Sequence, residues 1–310
     1  MMSATTNDPD PSGILVDESK TGIEKYKGHN FTASMFVREH IDTLEEFEVR
    51  DDDVILAGYP KSGNIFTQQV MSLIYNEGHR NGIENIPNME RVPWIEYVLK
   101  NRDYTKYPSP RLFSTNLPYC LVPKDLRRKR GKVIYVTRNP KDVLTSFYYF
   151  EKLIPSLTPS PTFEHFMEKA LNGEVFAGSW FEHVRGWYTH KEDFNFLLIS
   201  YEDMVKDLRS VVLKICQFVG RQLSDHEIYI VLQKSAFKNM KSDPNANYEF
   251  LDRKIVDKNR GNFVRKGTIG DWKNVMTVAQ SERFDKIFQE KMKDLPIKFM
   301  WDINEDKQSI

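Results

Sequence analysis

Short apolar runs alternate with longer amphipathic stretches along most of the chain. Val54-Ile55-Leu56-Ala57 precedes residues 65–78, Lys132-Val133-Ile134-Tyr135-Val136 precedes 140–151, and Phe196-Leu197-Leu198-Ile199 precedes 203–219. A run of four or five apolar residues suits a strand buried on both faces, and apolar positions recurring every three or four residues suit a helix with one face in the core. The alternation predicts βαβ units, and so an α/β fold: a single domain with a central parallel sheet flanked by helices on both faces. Segments 224–241 and 279–294 have helical periodicity with no new strand between them. The polar, glycine-punctuated stretch 242–270 predicts a long loop, and a loop of that length is usually functional or disordered. Residues 1–22 carry little to bury and predict a disordered tail ahead of a domain over 23–310.

The junctions between apolar and amphipathic runs carry the candidate chemistry. After the first strand comes Pro60-Lys61-Ser62-Gly63, with a helix beginning near Asn64. A strand, a glycine turn and a helix N-terminus make an anion site, because unpaired backbone N–H groups and the positive end of the helix dipole converge there. Lys61 adds a point charge. The spacing is not that of the nucleotide-triphosphate P-loop, and a plain β–α turn with a solvated lysine is the alternative. The second junction puts Arg138 at the carboxyl end of its strand and Ser146 about two turns into the next helix, where ligands of open α/β sheets bind. Arginine suits a bidentate phosphate contact; a surface pair between Arg138 and Asp142 is the alternative. Arg265-Lys266-Gly267 closes the long loop as a phosphate lid or an ordinary charged turn. Together the three stretches suggest a ligand with more than one anionic group.

Composition narrows the partners. Lysine plus arginine and aspartate plus glutamate each number 44 in 310 residues, so no global field favours nucleic acid or an anionic membrane, and any anion site must be local. The 2 cysteines, Cys120 and Cys216, have neither metal-like nor redox-like spacing and are expected as core thiols of a protein from a reducing compartment. No apolar segment approaches the roughly 20 residues of a membrane span, and a soluble, cytoplasmic protein without a metal is expected.

YPKSG at 59–63, the Arg138-Asn-Pro-Lys-Asp-Val unit running to Ser146, YEDM at 201–204 and RKGTIGDWKN at 265–274 resemble, in order, the motifs of the cytosolic sulfotransferases. The resemblance runs from about Tyr26 to Asn304. RDDDV, FTQQ, SLIYNEGHR, RGWY and the WDINE end are most similar to the amine sulfotransferase branch. It implies a single α/β domain that moves a sulfuryl group from 3′-phosphoadenosine 5′-phosphosulfate (PAPS) to small acceptors, leaving adenosine 3′,5′-bisphosphate. Carried over by motif, Lys61, Ser62 and Gly63 with the backbone of Asn64 and Ile65 would hold the 5′-phosphosulfate. Arg138, Ser146 and Arg265-Lys266-Gly267 would hold the 3′-phosphate. Phe66 and Phe237 would flank the adenine, with Tyr201 and Ser235 bonded around it. Trp94, Tyr97 and Phe150 would line the acceptor pocket, core packing being the alternative for each aromatic. Lys273, Thr277, Val278 and Glu282 match the family's dimerisation pattern and imply a homodimer, while Thr277 and Gln280 also read as a helix capping box.

The chain departs from the family at chemically decisive positions. Phe66 stands where a tryptophan is usual, Asn64-Ile65 where two hydroxyl residues are usual, and Ser114 where many members have a lysine. Asn116 stands where the family has the histidine that takes the acceptor's proton, and none of the 7 histidines falls in a matching motif. An amide has no useful basicity near neutrality, and losing a general base typically costs about 10²–10⁴-fold. An alcohol or phenol must lose its proton as it attacks, whereas a neutral arylamine presents a lone pair already. Two readings follow: a slowed sulfotransferase of aromatic amines, phenols or alcohols, or a weak or inactive binder of adenosine 3′,5′-bisphosphate or small hydrophobic ligands. Asn116→His is expected to raise turnover of a phenol more than that of an arylamine.

Overall fold

The computed structural model describes residues 13–79, 82, 85–100 and 102–304. Six strands are present among them: β1 (Ile23–Tyr26), β2 (His29–Thr32), β3 (Val54–Gly58), β4 (Leu112–Thr115), β5 (Lys132–Thr137) and β6 (Phe196–Ser200). β3 to β6 form a parallel sheet in the order β4-β3-β5-β6. From β3 the chain steps first to β4 on one side and then to β5 on the other, and this reversal of strand order opens a crevice at the carboxyl end of β3. Helices cover both faces, as the alternation predicts. Ile55, Ala57, Val133 and Tyr135 turn to one face, where Phe147, Phe166, Trp187 and Phe284 pack. Val54, Leu56, Ile134 and Val136 turn to the other, against Val70, Leu73, Ile74, Val212 and Ile215. The period of two along each strand divides the core between the faces.

Two predicted helices are each broken once. Residues 203–219 become Tyr201–Lys206 and Leu208–Val219, separated at Asp207, whose side chain caps the second piece at Ser210. Residues 224–241 become Asp225–Ser235 and Phe237–Ser242, separated by the extended Ala236. The helix after β3 spans Asn64–Tyr75 and the one after β5 spans Pro140–Glu151. No helix among the described residues is long and apolar enough to cross a membrane.

The tail expected over residues 1–22 lies partly outside the described residues, which begin at 13; from there the chain is docked. Ile14 is buried and bridges to Leu99, Leu15 N–H donates to Val98 O at 2.9 Å, and Gly22 N–H donates to Ser156 O at 2.6 Å. The apolar Ile14 and Val16 are what fix it, seated beside Trp94 and Leu99. The 242–270 loop has little regular structure but is packed: Tyr248, Leu251, Ile255 and Val256 are buried with Met35, Met89 and Ile154. Of the two expected core thiols, Cys216 is buried and Cys120 is exposed, on a short turn that leads the chain outward after β4.

Candidate active site

The turn after β3 has the geometry that an anion cradle needs. Lys61 and Gly63 both adopt the left-handed region, with φ of 69° and 104°. At Gly63 a Cβ would stand 2.7 Å from Tyr201 Cδ2, so both conformation and space require glycine. The first hydrogen bond of the following helix runs from Thr67 N–H to Gly63 O, which leaves the amides at its start unpaired within the helix. Lys61 Nζ lies 4.4 Å from the Phe150 ring centre and 4.7 Å from that of Phe263. Burial among these rings, and then the charges of Arg138 and Arg265, lower its pKa to about 7. Ser62 does not line the cavity: its side chain is fully buried with Oγ unpartnered, and its N–H donates to Tyr59 O at 3.2 Å.

Beside the cradle lies a cluster of cations. Arg138 is buried, donates to Thr268 O at 3.0 Å and to Lys61 O at 3.2 Å, and stacks over Tyr201 with its guanidinium carbon 4.1 Å from the ring centre. It is not chiefly engaged with Asp142, which lies 3.8 Å away and accepts instead from the N–H groups of Gly270 and Trp272 at 2.7 and 3.0 Å. Arg265 and Lys266 pair with Asp271 at 2.5 and 2.6 Å. Burial works against ionisation of Asp271, but hydrogen bonds from Lys266, Asn274 and Arg265 outweigh it and hold the carboxyl at about 2. Arg138 Nε, Arg265 Nε and Ser235 Oγ are buried without a hydrogen-bond partner. Buried donors of this kind are costly unless a ligand satisfies them.

Gly63, Asn64, Ile65, Phe66, Lys61, Arg138, Ser146, Tyr201, Ser235, Phe237, Arg265, Lys266 and Gly267 all line one cavity of about 570 Å³, together with Asn116, Trp94, Tyr97 and Phe150. Phe66 meets Tyr201 edge to face at 6.3 Å, and Phe237 lies so close to the loop that a Cβ on Gly267 would fall 2.0 Å from it. The cavity's other lobe is apolar. Ile14, Met35, Met89, Tyr248, Leu251, Ile255, Val256 and Phe263 line it as well, none of them singled out from the sequence. Apolar residues in irregular segments carry no periodic signal; the only hint was the length of the 242–270 loop. Tyr248, Trp94 and Gln68 form a chain, with Trp94 Nε1 to Tyr248 Oη at 3.0 Å and Tyr248 Oη to Gln68 Oε1 at 2.8 Å. Gln68 Nε2 in turn donates to Ser114 Oγ at 2.8 Å, which keeps Ser114 buried and off the cavity.

Asn116 sits where the lobes meet, at the carboxyl end of β4. Its N–H donates to Glu96 Oε1 at 2.8 Å, its carbonyl accepts from His183 Nε2 at 3.1 Å, and its Oδ1 accepts from Asn64 Nδ2 at 3.0 Å. The last bond joins two side chains 52 positions apart in the chain. Burial raises Glu96 to about 7, partly offset by the Asn116 N–H, and lowers His183 to about 4. Neither lines the cavity.

A polyanion cradle at the carboxyl ends of a parallel sheet, opening on an apolar lobe, matches group transfer from an anionic donor to a small apolar acceptor. Residues 51–296 match the sulfotransferase domain family, and the chain belongs to it. It is 50% identical over 296 residues to the amine sulfotransferase of Oryctolagus cuniculus, covering 95% of this chain and 98% of that protein. It is 43% identical over 260 residues to sulfotransferase 2A1 of Homo sapiens, covering 83% and 90% respectively. The structure of mouse sulfotransferase SULT7A1 complexed with PAP is similar at a TM-score of 0.74 and 33% identity, over 88% of this chain and 95% of that one. Retinol dehydratase, at 22% identity and a TM-score of 0.78 over 93% of this chain and 95% of its own, shares the fold. The family and the fold expected from the motifs are both borne out.

Proposed function

We propose that this chain transfers a sulfuryl group from PAPS to small, flat, apolar acceptors bearing a neutral aromatic amine or a phenol or alcohol hydroxyl. The observation that carries the reading is one cavity lined by Lys61, Gly63, Arg138, Arg265 and Ser235, the last three each with a buried polar atom that has no partner, and continued by an apolar lobe beyond Asn116. PAPS supplies the group: as the acceptor's lone pair bonds to sulfur, the bond to the 5′-phosphate oxygen breaks and that oxygen keeps the electron pair. Lys61 and the amides of Gly63, Asn64 and Ile65 hold the 5′ end, and Lys61 stabilises charge gathering on the departing oxygen. Arg138, Ser146 and Arg265-Lys266-Gly267 hold the 3′-phosphate, and Asp271 keeps Arg265 and Lys266 aligned for it. Phe66 and Phe237 flank the adenine, beside Tyr201 and Ser235.

The acceptor's charge follows from the lining. Among the described residues around the cavity the carboxylates are Asp207 and Asp271, the first a helix cap and the second already paired with two cations. The apolar lobe therefore offers no counter-charge to an ammonium ion, and a neutral arylamine is favoured over a protonated aliphatic amine. A second reading, a weak or inactive binder of adenosine 3′,5′-bisphosphate, is favoured by Asn116, which has no basic atom.

Turnover of radiolabelled PAPS separates the two. Label is expected in an arylamine at the highest rate, more slowly in a phenol, and least in a protonated alkylamine. Binding of PAPS without label in any acceptor would establish the second reading instead.

A further inference from the structure

Asn64 and Asn116 stand 52 positions apart in the chain, yet each depends on the other. Asn116 has its backbone N–H, its carbonyl and its Oδ1 engaged by Glu96, His183 and Asn64, which leaves its Nδ2 group. The orientation of the two amides follows from their surroundings. The end of Asn64 that faces Asn116 also faces the carbonyl oxygens of Tyr59 and Gly58, at 3.2 and 3.4 Å. An amide oxygen there would repel both carbonyls, so that end is the NH₂ group, and Asn116 must offer it an oxygen. Asn116 lines the cavity, and with Oδ1 engaged by Asn64 the side-chain group left without a protein partner is the Nδ2 donor.

Resting on the sulfotransferase reading, we propose that this amide pair makes the acceptor-side corner a hydrogen-bond donor: Asn116 Nδ2 donates to a sulfuryl oxygen of bound PAPS, and Asn64 is the positioning residue that fixes it there. A donor at this place stabilises negative charge on the sulfuryl group during transfer. It takes no proton from the acceptor. Nucleophiles that hold an available lone pair, neutral amines, are served by such a corner, and un-ionised hydroxyls are not. The pair also alters what a histidine at 116 can do. Asn64 Nδ2 would donate to the imidazole nitrogen and occupy the lone pair a base needs, so Asn116→His alone leaves the base tied up, and only removal of Asn64 releases it.

The test compares affinity for PAPS with affinity for adenosine 3′,5′-bisphosphate, which lacks the sulfuryl group, in wild type, Asn116→Ala, Asn64→Thr and the double variant. Asn116→Ala is expected to weaken PAPS about tenfold, the scale of a hydrogen bond to a charged group, with the bisphosphate within about twofold. The double variant should be no worse in this ratio than Asn116→Ala, since both changes remove one contact. Parallel loss of both ligands would show a merely structural role and overturn the proposal; multiplied losses would overturn the part assigned to Asn64. In turnover, Asn64→Thr with Asn116→His should raise kcat for a phenol at least about tenfold, and Asn116→His alone only a few-fold. Equal gains from the single and double changes would refute the lock. If wild type transfers to no acceptor, the sulfotransferase reading falls, while the PAPS-to-bisphosphate ratio still decides the contact.

Discussion

Lys61 shows how residue-level physics sets the behaviour of the site. Its ammonium is held by two aromatic faces and beside two guanidinium groups, in a backbone conformation that costs strain. Removal from water is the larger effect on its proton and repulsion by Arg138 and Arg265 the smaller, and both favour the neutral amine, with a pKa of about 7. The sign of the linkage is then fixed. At pH 8 the free site holds Lys61 mostly neutral, and a bound polyanion restores the charge, so adenosine 3′,5′-bisphosphate binds with uptake of a proton and with affinity that declines from pH 7 to 9. Calorimetry at pH 8 in buffers of different ionisation enthalpy should show this uptake, and Lys61→Met should abolish it. Binding without proton exchange in the wild type would mean that Lys61 is already charged in the free site or stands apart from the ligand, and unchanged affinity in Lys61→Met would decide for the second. Stability responds in the opposite direction. Between pH 7 and the ordinary lysine range the unfolded chain binds the proton that the folded one has lost, so this group's destabilisation of the ligand-free fold fades as pH rises.

Elements bring such residues together, and the elements differ in how plainly the sequence announces them. β3 and β5 are buried on both faces and read as unbroken apolar runs. β4 does not, because Ser114 and Thr115 are buried there, the first bonded to Gln68 and the second accepting from Leu117 N–H at 3.0 Å. The β1–β2 hairpin escapes the pattern reading too, its strands half polar and its Lys27-Gly28 turn in the left-handed region at both residues. Helices Phe163–Leu171 and Trp180–Thr189 carried legible signals, with Thr162 and Ser179 as caps, but no new strand preceded them. The break at Ala236 has no local cause in sequence; it puts Ser235 and Phe237 on the same cavity wall. In the site, motifs marked residues of the 61–66 turn, Arg138 and the 265–267 segment that line one cavity, but could not mark a contact between Asn64 and Asn116. Gly267 tests whether the 265–267 segment serves as the proposed phosphate lid. Its φ is 68° and any Cβ would strike Phe237, so Gly267→Ala should weaken bisphosphate binding more than tenfold, on the order of 1.5 kcal/mol or more, by displacing the ring. Gly220→Ala, at φ 77° with nothing within 4 Å, is the control: it should cost about 1 kcal/mol of stability and leave binding alone.

At the scale of the whole molecule, residues 273–282 join a capped helix start to an exposed surface. Thr277 and Gln280 form the capping box expected of them, Thr277 Oγ1 accepting from Gln280 N–H at 3.2 Å and Gln280 Oε1 from Thr277 N–H at 2.9 Å. That accounts for Thr277 within one chain. It does not account for Val278, which is 75% exposed at the first turn of the Val278–Met292 helix, with Glu282 exposed one turn on. A single exposed valine is ordinary on a protein surface, but here it lies inside a segment that matches the family's dimerisation pattern. We propose a two-fold dimer in which the same short patch of each chain meets its copy. Val278→Asp tests it with little risk to the fold, because an acid in the first turn suits the helix dipole and an exposed substitution usually changes stability by less than about 0.5 kcal/mol. Sedimentation should show a dimer for the wild type and a monomer for the variant, with an unchanged thermal midpoint and unchanged bisphosphate affinity. A wild type that sediments as a monomer at micromolar concentration, or a variant that still pairs, would return Val278 to the status of an unremarkable surface residue.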